Sequence, residues 1–360
     1  MQNLITSHFF LGANSPRGFA SLYNQFIDPA AGTFLWIIKG GPGCGKSTFM
    51  KQIAAAAREH GYFVEEIHCS GDPDSLDGIR IPALHSAYVD GTAPHALDAI
   101  YPAAASSYLD LGAFYDVDAL RCHLPEITEI NRRYKALYDR AYALISAANA
   151  CDAAAYPGLY APSVLQAVTQ RAERTAARIL PAARTAPAAI QHRFYSAFTC
   201  QGWVRMEETL SGLCSQIFAV ENRFGLAPHF LQTLADAVAA RGLPAIFCHD
   251  PMHPDQLEAL LLPDLDTAFL ALRSPDSFTG AIRRHIRLDR LIAPASLQTL
   301  RSELRHAEKL QTQLFGDAHQ ILQQAKALHD TLETIYNPHV DFDAVRSLAA
   351  LHSDKLLRSR

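Results

Sequence analysis

Residues 47–90 of this chain align without a gap onto residues 228–271 at a constant offset of 181. The identities are Phe49/Phe230, Ala54/Ala235, Ala56/Ala237, Gly61/Gly242, His68/His249, Pro73/Pro254, Asp74/Asp255, Leu76/Leu257, Pro82/Pro263, Leu84/Leu265 and Ala87/Ala268. Upstream, His8-Phe9-Phe10 with Gly18-Phe19 is echoed by His192-Arg193-Phe194 with Gly202-Trp203 at an offset of 184, so a three-residue indel separates the two registers. A repeat of this length constrains the fold more than any composition does: whatever the first half builds, the second must be able to build again. The 360 residues are also long for one hydrophobic core, which points to two domains.

The first copy opens on Phe34-Leu35-Trp36-Ile37-Ile38, an apolar run expected of a parallel strand buried on both faces. Gly40-Gly41-Pro42-Gly43-Cys44-Gly45-Lys46-Ser47 follows and completes the pattern G-x-x-x-x-G-K-[ST]. From Ser47 to Glu59 there is neither Pro nor Gly, as a helix requires. In such a strand–loop–helix unit, backbone N–H groups turn inward around phosphates and Lys46 supplies a charge to them. The Ser47 hydroxyl is placed to ligate Mg²⁺ at the helix N-terminus. Gly40 through Ser47, with Thr48, are therefore the expected nucleotide-binding residues, with ATP and Mg²⁺ as ligands. ATP is preferred over GTP because no N-K-x-D guanine-reading element is present. Cys44 lies near a helix N-terminus that would lower a thiol pKa; the alternative is a small residue that simply fits.

In the second copy, the offset of 181 sets Glu221, Leu226, Ala227 and Pro228 against Gly40, Gly45, Lys46 and Ser47. A negative charge and a proline without an N–H are incompatible with an anion cradle. No lysine between Lys135 and Lys309 is available to restore it. The second half is expected to keep the fold and to have lost the phosphate site.

Beyond the loop, Ala87-Tyr88-Val89 ends in Asp90, the carboxylate expected on the Mg²⁺ side; its counterpart is Ala271. No Glu follows Asp90, where an ATPase often carries a water-activating glutamate. The loop His68 to Gly78 concentrates acids at the carboxyl end of the second strand, where ligands sit in open α/β sheets. Asp72 and Asp77, replaced by His253 and Glu258, are candidates for a general base or water-orienting role, alongside a purely turn-building one. Asp74 and Pro73 recur in the second copy and read as turn residues. Lys46, Asp90, Asp72 and Asp77 thus form the candidate catalytic set, and Ser47 and Asp90 the candidate metal ligands. Thr92 and His95 lie close enough in sequence to reach the γ-phosphate side, although a satisfied loop histidine is the simpler role for His95. His249 with His253 has a metal-compatible spacing but lacks further clustered ligands.

Each copy is followed by helical spacing, over residues 118–150 and 295–335, available as lids, dimerisation arms or packing layers. From Cys151 the first copy reads as irregular, with Pro157 and Pro162, before another helical stretch to about Leu180. Pro181 to Pro187 reads as the linker, dividing the chain into domains 1–185 and 186–360. A formal net charge of −4 without a basic cluster argues against nucleic acid as a partner. Met1 to Phe10 lacks signal-peptide character and no stretch is apolar enough for a membrane span. Seven cysteines without C-x-x-C pairs fit reduced thiols, so the cytoplasm is the expected location.

The stretches Phe9 to Phe19, Gly40 to Ser47, His68 to Gly78 and Val89 to His95 together resemble a family of uncharacterised bacterial tandem P-loop ATPase-like proteins. The resemblance covers most of the chain and implies an α/β fold of two P-loop modules with parallel sheets and helical appendages. Family members often carry a phosphate loop in both halves, and this sequence departs from that in its second. The expected activity is ATP hydrolysis coupled to a conformational change. The alternatives are a small-molecule kinase and an ATP-responsive binding module that recruits a protein partner through its helices.

Overall fold

A computed structural model describes residues 5–28, 31–156, 159–184, 189–273 and 278–358, with no side-chain detail at 152–155. The first half builds β1 (Thr6–Phe10), β2 (Gly12–Ser15), β3 (Gly18–Ser21), β4 (Phe34–Lys39), α1 (Lys46–Glu59), β5 (Val64–His68), β6 (Leu76–Ile81), β7 (Ser86–Asp90) and β8 (Ser106–Asp110). Helices α2 (Val117–Cys122), α3 (Leu124–Ala155) and α4 (Pro162–Ile179) follow. The second half builds β9 (Ile190–Phe194), β10 (Ser196–Thr199), β11 (Gly202–Arg205), α5 (Glu207–Leu213), β12 (Gln216–Glu221), α6 (Ala227–Ala240), β13 (Ala245–His249), β14 (Leu257–Leu262), β15 (Thr267–Leu272) and β16 (Ile282–Ile286). It closes with α7 (Pro294–Tyr336) and α8 (Phe342–Arg358).

The result is an α/β molecule with one large mixed sheet, ordered β16-β12-β15-β14-β13-β9-β1-β5-β6-β7-β4-β8. That order is palindromic about the β1–β9 step. Each side runs through a parallel pair, an antiparallel excursion (β6 or β14), and a parallel run through β7-β4-β8 or β15-β12-β16. Strand β4 has parallel neighbours on both sides, which is why its sequence is an unbroken apolar run. The two sides join through a single antiparallel bridge between the last residues of β1 and β9, Phe10 and Phe194. Apart from the antiparallel β6 and β14, the strands of each half of this sheet therefore turn their carboxyl ends toward the middle of the molecule.

Several of the repeated identities close turns. Gly61, at φ 78°, and Gly242, at φ 65°, follow α1 and α6, and in both helices the next N–H returns to the third residue from the end: Tyr62 to Ala57 O and Leu243 to Val238 O. Only glycine takes this left-handed position without strain. Pro82 and Pro263 each open a one-turn 3₁₀ helix between two strands. Asp74 and Asp255 bind across the centre, Gln201 Nε2 donating to Asp74 and Arg17 to Asp255. Arg17 and Gln201 are themselves related by the offset of 184, so the two contacts are one contact made twice.

Helices α3 and α7 lie antiparallel over this centre. Ile127 and Ile130 meet Leu332 at one end, Ala141 and Ile145 meet Ile321 and Leu322 further along, and Gln311 Nε2 donates to Ala148 O. The remaining helices cross over. Helix α4 packs on α6 of the second half, while α8 packs on α1 of the first through Val345 and Ala349. The helical spacing read from residues 118–150 and 295–335 forms helices as expected, but α3 continues past Cys151 to Ala155, because no breaker precedes Pro157, which lies outside the described residues. The 185/186 boundary also lies outside them. No described helix is long and apolar enough to cross a membrane.

Candidate functional site

The loop between β4 and α1 is shaped by glycine. Gly43 and Gly45 sit at φ 71° and 86°, a region that side chains other than glycine rarely adopt. A Cβ on Gly40 would come 2.5 Å from Cys44 Sγ. Gly45 occupies the N-cap of α1 with no side chain capping the helix, which leaves its first-turn amides to the loop interior. Lys46 Nζ donates to Gly40 O and Gly41 O, both at 2.8 Å, and lies 3.6 Å from Asp90 Oδ2. Asp90 ends β7 beside Ile38 of β4, so the loop and this carboxylate share one strand edge as the sequence predicts. Its Oδ1 accepts from Thr92 N and Thr92 Oγ1, which fixes the carboxylate's orientation. Ser47 Oγ accepts from Leu76 N at 2.9 Å and so also ties α1 to β6.

Cys44 is fully buried, and burial pushes its thiol up despite the nearby Lys46 charge. The expectation of a helix-activated thiolate does not hold; Cys44 is the small residue that fits.

The other sequence candidates separate. Asp72 accepts from Ser75 Oγ and, at longer range, Asp74 N, as a turn residue does, yet it also faces Lys326 Nζ at 3.5 Å across the cleft. Asp77 is buried, receives a 2.6 Å hydrogen bond from Tyr23 OH, and lies 3.3 Å from His95 Nε2. Burial raises its carboxyl above the usual range against the lowering influence of His95. His95 is buried too, its ring against Phe19 and Tyr23, and its Nδ1 has no hydrogen-bond partner. His95 is thus not the satisfied loop histidine that sequence alone favours. His249 and His253 do not come together as ligands. His249 engages His192 Nδ1 and Pro254 O, and His253 lies 3.7 Å from Asp250.

These groups line a cleft of about 880 Å³ whose opposite wall is helical. Asn131, Tyr134 and Tyr138 come from α3, and Lys326, His329 and Glu333 from α7. The α7–α8 junction touches the loop itself. The Asn337 amide donates to Gly43 O at 3.0 Å, and Phe342 and Val345 lie against Gly45. Sequence reasoning missed Lys326 and Asn337, because a polar residue on a long helix reads as part of a solvent face; the signal that could have found this wall is the helical spacing of Tyr134 and Tyr138, which line the cleft.

The second half has the same arrangement without the cradle. Strand pairing sets Val220 beside Ala271 and Ile38 beside Asp90, so Glu221 matches Lys39 rather than Gly40, and the loop before α6 is one residue shorter. This corrects the register drawn from the constant offset. Asn222 Oδ1 accepts from Ala227 N at 3.1 Å, so a side chain occupies the amide at the start of α6, and Pro228 contributes none. The loop is covered from the other helical junction, Tyr160 OH donating to Phe224 O.

Comparison with family models, curated proteins and solved structures returns no match to this chain.

Proposed function

We propose that the chain is a pair of tandem P-loop-like modules, of which the first binds ATP with Mg²⁺ and hydrolyses it, while the second serves as a scaffold. The observation that carries this reading is the contrast between two equivalent helix starts. Behind Gly45 the amides of α1 are uncapped and flanked by Lys46 and Asp90, whereas behind Leu226 the start of α6 is closed by Asn222. An uncapped helix N-terminus beside a lysine is an anion site suited to a polyphosphate. Ser47 Oγ and the Asp90 carboxylate are hard oxygen donors of the kind Mg²⁺ takes, and that ion would offset charge on the phosphates. Lys46 positions the phosphates, Asp90 holds the metal side, and Asp72 with Lys326 bounds the outer end of the cleft.

The coupling to conformation follows from Asn337, Phe342 and Val345 resting on the glycine loop. A shift of the loop on nucleotide binding or turnover is transmitted to α7 and α8. A second reading, phosphoryl transfer to a small hydroxyl compound, is favoured by the reach of the cleft beyond the loop to Tyr134 and Tyr138. The seven free thiols and the absence of a basic cluster support a cytoplasmic protein acting on small molecules or a protein partner rather than nucleic acid.

In a thermal unfolding assay, ATP with Mg²⁺ at about a hundred times its dissociation constant should stabilise the chain by roughly 2.7 kcal/mol. Lys46→Ala should remove most of that shift and leave the unliganded melting temperature unchanged. An equal shift in the variant would eliminate the loop as the binding site. Assaying phosphate release alone and with added hydroxyl acceptors then separates hydrolysis, transfer and simple binding.

A further inference from the structure

Three side chains beside the nucleotide cleft form a ligand set that phosphate chemistry does not require. Cys69, just past β5, Asp77, the second residue of β6, and His95, in the segment after β7, bring a sulfur, a carboxylate oxygen and an imidazole nitrogen within 4.8 Å of one another. Asp77 Oδ2 lies 3.3 Å from His95 Nε2. Two donors bound about 2 Å from a common ion lie about 3.3 Å apart in a tetrahedral shell, so that pair already has ligand spacing.

The backbone holds the positions in place. Cys69 N donates to Ser75 O at 3.0 Å, His95 N donates to Thr92 O at 2.8 Å, and β5 and β6 are paired at His68 and Leu76 beside the two other ligands. Around them stands an outer layer. Tyr23 OH donates to Asp77, as groups behind a metal-binding carboxylate do, and Phe19 and Tyr23 grip the His95 ring. The set is costly without an occupant. It places an acid and an imidazole out of solvent and leaves His95 Nδ1 unpartnered.

Other clusters do not share these features. In His8–Glu66–His68, His68 Nδ1 must donate to Pro73 O, so Nε2 accepts from His8 and neither nitrogen is left for a metal. The same histidine chain recurs at His192–His249–Pro254, where Phe247 replaces Glu66, and it is a structural unit of the repeat. In His329–Asp330–Glu333, on one face of α7, His329 and Glu333 are half-buried and Asp330 is exposed and paired with Lys326. In the second half Cys69 and Asp77 become Asp250 and Glu258, and the sulfur is gone.

We propose that Cys69, Asp77 and His95 bind a thiophilic divalent cation, Zn²⁺ by the chemistry of the set, at the edge of the nucleotide cleft. A thiolate and an imidazole select against Mg²⁺ and Ca²⁺, which take oxygen. Three protein ligands leave the fourth position facing the cleft for water or a substrate oxygen, the pattern of reactive rather than purely structural zinc sites. Binding releases the Cys69 proton to solvent, together with any proton on Asp77, and involves no redox change.

The test uses the full chain, reduced, freed of metal with a chelator and kept without nucleotide, so its outcome is independent of the ATP reading. Titration with Co²⁺ should give one equivalent per chain, with visible bands of four-coordinate intensity and a near-ultraviolet sulfur-to-cobalt band, both removed by one equivalent of Zn²⁺. Cys69→Ser should lose the sulfur band, and Asp77→Asn and His95→Ala should each weaken binding at least tenfold. Cys200→Ser, which keeps all three ligands, should bind like wild type. The proposal fails if wild type takes up no stoichiometric Co²⁺, if the sulfur band survives in Cys69→Ser, or if Cys200→Ser removes it. Circular dichroism of each variant separates loss of the site from loss of the fold, and Cys69→Ser, nearly isosteric, is the variant on which a negative result counts.

Discussion

Lys46, at the start of α1, and Asp90, at the end of β7, stand 3.6 Å apart, and their roles divide by what each can contact. On the proposed reading, Lys46 and the loop amides hold phosphate whether or not the carboxylate is charged. Asp90→Asn should therefore leave ATP affinity within about threefold of wild type while lowering Mg²⁺-dependent turnover by roughly a hundredfold or more, the signature of an interaction made mainly in the transition state. Isothermal titration against phosphate release measures the split; equal losses in both would make Asp90 part of the binding site only. Asp72→Asn and Asp77→Asn are companions. Asp72 already serves Ser75 and Lys326, and Asp77 is buried beneath Tyr23, so neither is a freely solvated base. Turnover lost in Asp72→Asn with binding intact would assign that residue the water-orienting role, whereas the same loss in Asp77→Asn is also what loss of the Cys69–Asp77–His95 metal site would give.

At the scale of elements, the parts legible in the sequence are those encoded locally. Gly40 to Ser47 announced a strand-to-helix loop, the stretch from Ser47 to Glu59 without Pro or Gly announced α1, and the apolar run at Phe34 to Ile38 announced a parallel strand. What stayed hidden was partner choice. Helices α4 and α8 are amphipathic, and periodicity says which face is apolar but not that each will cross to the opposite half. The one-residue shortening before α6 was invisible because β4 and β12 share almost no identities, so the constant offset carried through the loop unchecked. Cys69 and His95 were overlooked as a pair because 26 residues and a strand hairpin separate them in the chain. The shortened loop has a direct consequence. With Asn222 on the Ala227 amide and no lysine nearby, calorimetry should count one ATP per chain, and Asn222→Ala should not create a second site. Two equivalent sites would show that α6 accepts phosphate despite its cap.

For the whole molecule, the decisive junction is the seam between halves. Among the described residues, the Phe10–Phe194 bridge alone joins the two sides of the sheet. Behind it Arg193, fully buried, donates from Nε to Glu65 Oε1 at 2.6 Å and from Nη2 to Oε2 at 3.2 Å. Burial alone would raise the Glu65 carboxyl, but the Arg193 charge and hydrogen bonds, aided by Arg80, hold it below the usual range. A carboxylate lowered in the folded state contributes stability that is fully present above its unfolded pKa, about 4.3, and is lost as pH falls through the folded value. Arg193→Ala should cost about 3–5 kcal/mol at pH 7, because it strands a buried charge, whereas Glu65→Leu combined with Arg193→Met should cost far less or stabilise. Urea unfolding at pH 7 and again near pH 4 measures both effects. The advantage of wild type over Arg193→Ala should shrink at the lower pH, where protonation of Glu65 removes the penalty in the variant, while the wild-type attraction is lost only as pH falls through the depressed folded value. If Arg193→Ala unfolds at the wild-type urea midpoint at pH 7, the ion pair is not what secures the seam, and the α3–α7 packing, the crossed helices α4 and α8 and the Asp74–Gln201 and Asp255–Arg17 contacts hold the halves together.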